Sequence, residues 1–129
     1  MINFIVSSAI KPENEEFSYC RKKNLSIKHR SEILAMLMST YTTLAVAGSH
    51  GKTSTSTFLS TILELCSHNS SSITGGIIPI YNSNCHLENT KYLVAEVDES
   101  DGTINKYKSD IGIINNLSLI HISEPTRPY

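Results

Sequence analysis

AVAGSHGKTSTST, residues 45–57, decides how the rest of the chain is read. An apolar run halts at Gly48, Lys52 follows a second glycine, and hydroxyl side chains then crowd the next five positions. The upstream residues, TTLAVAG, are continuous and apolar and predict a buried strand ended by glycine. Downstream, Phe58, Leu59, Ile62, Leu63 and Cys66 recur with helical period, so a helix with one apolar face is expected. Strand, glycine turn and helix start together make an anion site. Backbone N–H groups point outward there, and the helix dipole adds about half a positive charge. Gly48 and Gly51 permit the tight turn and leave no Cβ in the way of a phosphate oxygen. Lys52 can then reach the β- and γ-phosphates, and the Thr53 hydroxyl can bind a bridging magnesium. The general phosphate-loop spacing is not fully met, because Val46 stands where its first glycine belongs. A bare Gly-Lys-Thr also occurs in ordinary surface turns. The flanking strand and amphipathic helix favour nucleotide binding over that reading.

The first helical turn is rich in Ser and Thr, which are indifferent helix formers, so a demand on the side chains is expected there. The second half of a nucleotide site should be an acid at the end of a neighbouring strand. YLVAEVDESD, residues 92–101, supplies it. Glu96 and Asp98 are two apart in an extended segment and so project to one side. A carboxylate on an otherwise apolar strand is costly to bury alone and sensible beside a cation. Glu96, between Ala95 and Val97, is the expected metal ligand; Asp98, Glu99 and Asp101 also read as a solvated turn closed by Gly102. The acids lack the ligand alternation of a calcium loop.

Elsewhere, residues 3–6 form a short apolar run. A helix is expected after it, with Pro12 at its start, Glu13, Glu15 and Glu16 in the first turn and Arg21 to Lys23 at the end. SEILAMLMST, residues 31–40, predicts a second helix with Ser31 as its cap and Ile33, Leu34, Leu37 and Met38 on one face. SSSITGG predicts a short strand, YNSNCHLENT a polar loop, and DIGIINN a last strand. Strands separated by helices predict an α/β fold with a parallel sheet and flanking helices.

The chain has 129 residues, is 40% hydrophobic and carries a net charge of −1, values of an ordinary globular core rather than of a polyanion binder. The cluster Arg21-Lys22-Lys23 suits a helix end better than nucleic acid. No apolar stretch is long enough to span a bilayer and no leader is recognisable, so neither a membrane nor a nucleic-acid partner is expected and the chain reads as cytoplasmic. Cys20, Cys66 and Cys85 have no paired spacing, which argues against a disulfide framework or zinc; Cys66 is expected to be a buried thiol.

AVAGSHGKTSTS, TGG and YLVAEVDESDGT, in this order and register, resemble the Mur ligases, the ATP-dependent amide-bond-forming enzymes of peptidoglycan precursor synthesis. The histidine in Gly48-Ser49-His50-Gly51-Lys52-Thr53, with IVSSAI and HRSEILAMLM upstream, resembles the branch that joins L-alanine to UDP-N-acetylmuramate. A tripeptide-recycling branch shares the histidine but typically has tyrosine where Ser100 stands; Ser49 replaces the usual threonine and keeps its hydroxyl. The resemblance implies a P-loop-type ATPase domain preceded by the tail of a Rossmann-like domain. It also implies ATP and Mg2+ as cofactors, and an acyl phosphate that an amine attacks. By the same likeness Gly48, Ser49, His50, Gly51, Lys52, Thr53 and Ser54 bind the phosphates, with Lys52 catalytic. Thr53 and Glu96 hold metal, while Asp98, Glu99 and Ser100 lie toward the substrate. Gly75 and Gly76 let backbone approach the ligand, and Ser7 and Ser8 face the nucleotide-sugar.

The likeness runs from Ile2 to about Asn116. Residues 1–40 are expected to be the end of a UDP-sugar-binding domain, 41–116 the opening of the central ATP-binding domain, and the whole a fragment inactive by itself. LSLIHISEPTR, from Leu117, matches an in-frame translation of a transposon-end sequencing adaptor, so residues 117–129 are expected to be read-through and His121 is not taken as a ligand. A different class of reading, a non-catalytic nucleotide-binding module, would bring guanine-specific or switch motifs, and none is present.

Overall fold

The structure is a computed structural model that describes residues 3–98 and 102–116. A small parallel pair, β1 (Asn3–Val6) and β2 (Ser26–His29), is joined by α1 (Glu15–Lys22). Helix α2 (Arg30–Met38) leads to a five-stranded sheet. Its strands are β3 (Thr42–Ala47), β4 (Ser71–Ile78), β5 (Ser83–His86), β6 (Tyr92–Glu96) and β7 (Ile111–Ile114), in the order β5-β4-β6-β3-β7. Helix α3 (Lys52–Leu65) connects β3 to β4, and a single 3-10 turn, Thr103–Lys106, precedes β7. Four strands run parallel, and β5 pairs antiparallel with β4 at the edge. The expected parallel sheet is therefore mostly parallel, and the expected polar loop contains the antiparallel edge strand β5. Ser83-Asn84-Cys85-His86 has little strand propensity of its own; pairing with β4 imposes the extended form.

Each face of the sheet has its own cover. Met38 and Leu34 of α2 pack on Ala45, Ala47, Leu93, Ala95 and Val97, the odd-numbered residues of β3 and β6 and the residue after β6. The even-numbered face takes α3, whose Ser60 hydroxyl meets that of Ser72 at 2.9 Å. Alternation along each strand forces this division. Glu96 is even-numbered and so leaves the sheet on the side of α3.

Helix α3 presents its small side chains to the sheet. Ser56 and Ser60 are fully buried, and their hydroxyls donate to the carbonyls of Lys52 and Ser56 at 2.8 and 2.9 Å. Small residues let the helix lie close, and the back-bonds satisfy hydroxyls that burial would otherwise strand. The expected apolar face is thereby turned outward: Phe58 is 67% and Ile62 56% exposed, and Cys66 is an exposed thiol rather than a buried one. Cys20 is the buried cysteine.

Capping also differs from expectation. Helix α1 starts after Asn14, whose side chain accepts the Phe17 N–H, so Pro12 and Glu13 precede it. Helix α2 is capped by His29, with Glu32 returning a bond to the His29 N–H at 2.7 Å; Ser31 lies inside the helix. Leu37, expected on the apolar face, is 42% exposed.

The β4–β5 hairpin is tied to α3 through Tyr81, which stacks on His86 at 3.8 Å and donates to Glu64 at 3.2 Å. Burial and the neighbouring Glu64 charge push the Tyr81 phenol up to about 12 from 10.0. The fold favours the neutral phenol, so this contribution to stability is intact below about pH 10 and lost as pH rises through about 12. A spectrophotometric titration should show one late phenol step that Tyr81→Phe removes. Loss of an ordinary step near pH 10 instead would contradict the pairing with Glu64.

Candidate functional site

The site forms at the carboxyl ends of β3 and β6, where parallel strands hand over to loops. After Ala47 the chain turns at Gly48, with φ of +139°, and again at Gly51, with φ of +78°, a conformation side chains resist. Gly51 is the residue before α3, so the first-turn N–H groups of that helix open onto the loop. Lys52 begins α3, and its Nζ donates to the Gly48 carbonyl at 2.6 Å, which folds the ammonium back over the loop. Ser54 is exposed in the same turn, and the His50 side chain is exposed at the loop's apex.

Thr53 and Glu96 meet as expected. The Thr53 hydroxyl lies 3.0 and 3.2 Å from the two Glu96 carboxylate oxygens. Backbone from β4 completes the arrangement: the Gly75 N–H donates to Glu96 Oε2 at 2.8 Å. Gly75 and Gly76 lie within β4, against the Glu96 and Thr53 side chains. A Cβ at Gly75 would stand 3.0 Å from Glu96 Oε1, and one at Gly76 only 2.7 Å from Thr53 Cγ2. A larger residue at either position would crowd the Glu96 or Thr53 side chain.

Lys52, Glu96 and Asp98 line one open cavity of about 260 Å³, with Arg30, Leu34, Ile73, Thr74, Gly75, Val97 and Tyr107. Asp98 is 3.5 Å from the Arg30 guanidinium, a largely exposed pair that adds little stability but sets two opposite charges across from Lys52. Ser7 and Ser8 do not line this cavity; the Ser8 hydroxyl instead meets His29 Nε2 at 3.0 Å. Glu99 and Ser100, like residues 117–129 and His121, lie outside the described residues.

Oxygen ligands suit magnesium. One threonine hydroxyl and one carboxylate, beside a loop shaped for phosphate, match a cation that takes few protein ligands and completes its shell with phosphate and water. Among the described residues no three acidic, histidine or cysteine groups converge as a self-sufficient metal cage. The residues present fit a metal that arrives with its nucleotide.

Sequence reasoning missed three participants. Arg30 reaches the cavity from α2, and Asn115 and Asn116, directly after β7, clasp the glycine loop. The Ser49 N–H donates to the Asn116 carbonyl and the His50 N–H to Asn116 Oδ1, both at 3.0 Å. These two amides point toward the end of β7. An asparagine pair ending an apolar strand was the only available signal.

A family profile described as "Mur ligase family, catalytic domain" matches residues 1–42, which stop short of the glycine loop. A UDP-N-acetylmuramate–L-alanine ligase from Prochlorococcus marinus subsp. pastoris is 74% identical over 120 residues, 93% of this chain and 25% of that protein. The same-named protein of Synechococcus sp. strain CC9311 is 47% identical over 91% of this chain and 24% of its own length. The chain thus spans about a quarter of the curated relatives it matches. Among solved structures, the UDP-N-acetylmuramate-alanine ligase of Thermotoga maritima superposes with a TM-score of 0.86 at 24% identity, over 92% of this chain and 28% of that one. The UDP-N-acetylmuramate:L-alanyl-gamma-D-glutamyl-meso-diaminopimelate ligase of Neisseria meningitides gives 0.83 at 20%, over 90% and 41%. These two likenesses establish a shared α/β fold. The profile covers residues 1–42, the relatives carry the likeness on through the glycine loop and the acidic strand, and by both the chain belongs to the Mur ligase family.

Proposed function

We propose that this chain supplies the phosphate loop and magnesium pair of an ATP-dependent ligase that joins L-alanine to UDP-N-acetylmuramate in the cytoplasm. The observation that carries the reading is the Thr53 hydroxyl bonded to both Glu96 oxygens, beside Lys52, at a strand–glycine turn–helix junction. The substrates are those in the names of the relatives. Residues 1–40 belong in this reading to the UDP-sugar domain and 41–116 to the ATP domain, with α2 packed against the sheet of the latter.

ATP, with Mg2+ neutralising its charge, would transfer its terminal phosphoryl group to the substrate carboxylate and leave as ADP. The amine of L-alanine would then displace inorganic phosphate from that acyl phosphate, losing a proton as the amide forms. The chain's own residues position and neutralise. The first-turn amides of α3 and the Lys52 ammonium face the phosphate charge, and Gly48, Ser49 and His50 form the wall of the loop. Thr53 and Glu96 offer the metal two hard oxygens. Gly75 holds the Glu96 carboxylate from behind, so its orientation is set before any ligand enters. Such stabilisation by groups already in place is the main contribution a protein makes to phosphoryl transfer. Arg30 and Asp98 extend the polar wall, and Glu99 and Ser100 keep the substrate-side role that the family resemblance implies.

The test uses a chimera in which this chain's aligned residues replace the corresponding quarter of the 74%-identical relative. Glu96→Gln keeps the size of the side chain and removes its charge. The magnesium concentration for half-maximal alanine-dependent ATP turnover should rise at least about ten-fold, roughly the 1.4 kcal/mol of one good charged contact. An unchanged magnesium titration would remove Glu96 from the metal site.

A further inference from the structure

Asn115 and Asn116 lie on the polypeptide more than sixty residues beyond the glycine loop, yet hydrogen-bond to it and to the first turn of α3. The Asn115 N–H donates to the Ala47 carbonyl at 3.1 Å, continuing the β3–β7 pairing past its last strand residues, Ala47 and Ile114. From that anchor Asn116 accepts the Ser49 N–H on its carbonyl and the His50 N–H on its side chain. Asn115 Nδ2 reaches Thr55 Oγ1 at 2.9 Å and the His50 carbonyl at 3.4 Å. The loop's entry, its apex and the first turn of α3 are therefore all tied to one dipeptide.

The fit is close enough to dictate sequence. A Cβ on Gly48 would stand 3.0 Å from the Asn116 carbonyl oxygen, and one on Gly51 3.1 Å from Asn115 Nδ2. Both glycines therefore answer to Asn115 and Asn116 as well as to their own positive φ. An untethered glycine-rich segment would have to be ordered by the nucleotide itself, at about 1–2 kcal/mol per residue fixed. Here protein contacts do the ordering.

We propose, resting on the nucleotide-site reading, that Asn115 and Asn116 are positioning residues of that site. Asn116 takes up the Ser49 and His50 amides and Asn115 anchors Thr55, which fixes the loop in the shape that aims the first-turn amides of α3 and Lys52 at a bound triphosphate. Neither asparagine touches the phosphates. Their effect is on nucleotide affinity, and the chemical step follows from Lys52 and the metal pair.

In the chimera, Asn116→Ala is expected to raise the KM for ATP about ten-fold, with kcat within about two-fold and the KM for L-alanine unchanged. Hydrogen exchange at the Ser49 and His50 amides should quicken without a matching change in the strands. Thr55→Val removes only the Asn115 anchor at nearly constant shape and should raise the KM for ATP about three-fold. Should turnover be too weak to follow, calorimetric binding of ATP with magnesium is expected to show the same ratios. An unchanged ATP constant in both variants, or equal losses for ATP and alanine, overturns the positioning role. Lys52→Ala separates the two ideas: full turnover in that variant defeats the nucleotide reading itself. A crippled Lys52→Ala beside normal Asn116→Ala and Thr55→Val defeats only the proposal made here.

Discussion

Lys52→Ala in the chimera is expected to lower alanine-dependent ATP turnover by about 10² to 10³, the effect of losing a few kcal/mol of charge stabilisation in phosphoryl transfer. The expectation rests on where the ammonium is held. Lys52 Nζ is fixed over the glycine loop by the Gly48 carbonyl at 2.6 Å, one helical residue from the hydroxyl that meets Glu96. Arg30, the other cation on the cavity, starts a different helix and is turned to Asp98, so it cannot take over the same position. Stability should change by only about 1 kcal/mol, the net worth of one part-buried hydrogen bond. A single-turnover measurement at saturating ATP separates loss of chemistry from loss of binding. Turnover within about two-fold of the parent would remove Lys52 from the mechanism.

Gly76→Ala carries the second large expectation, on stability and metal together. Its Cβ would fall 2.7 Å from Thr53 Cγ2, closer than real carbon contacts come. Thr53 is β-branched and has little rotamer freedom in a helix, so turning it aside moves Oγ1 off Glu96. Shifting β4 instead disturbs Gly75, whose N–H holds the same carboxylate. Overpacking of this kind costs about 1–3 kcal/mol, and either escape loosens the metal pair. The chimera should melt lower and need several-fold more magnesium. Gly102→Ala is the contrast: φ there is +70° but nothing lies within 4 Å, so it should cost some stability and leave the magnesium titration alone. Equal magnesium effects from both glycines would show that backbone strain, not the contact with Thr53, is responsible.

The strand, glycine turn and helix around Lys52 were legible in the sequence, as was the acid on the paired strand, because each is a local pattern. Apolar runs and 3.6-residue periods report on neighbours a few positions away. The hydroxyl-rich start of α3 signalled a demand on side chains, and the structure names it: Thr53 serves Glu96, Thr55 serves Asn115, and Ser56 and Ser60 let the helix lie on the sheet. The same periodicity misplaced the apolar face of that helix. A moment counts where apolar residues cluster and cannot say whether a sheet will accept bulk or demand closeness.

The sequence by itself determined the α/β class, the strand–glycine turn–helix around Lys52 and the pairing of that turn with Glu96. Only tertiary structure decided that β5 pairs antiparallel, that Gly75 and Gly76 make room for Glu96 and Thr53, and that Asn115 and Asn116 hold the loop. His50 and Asn116 are 66 positions apart, and no local preference of either residue encodes the other. Their meeting is fixed by the pairing of β7 with β3, a choice made by burial of whole strands rather than by the residues that end up at the site.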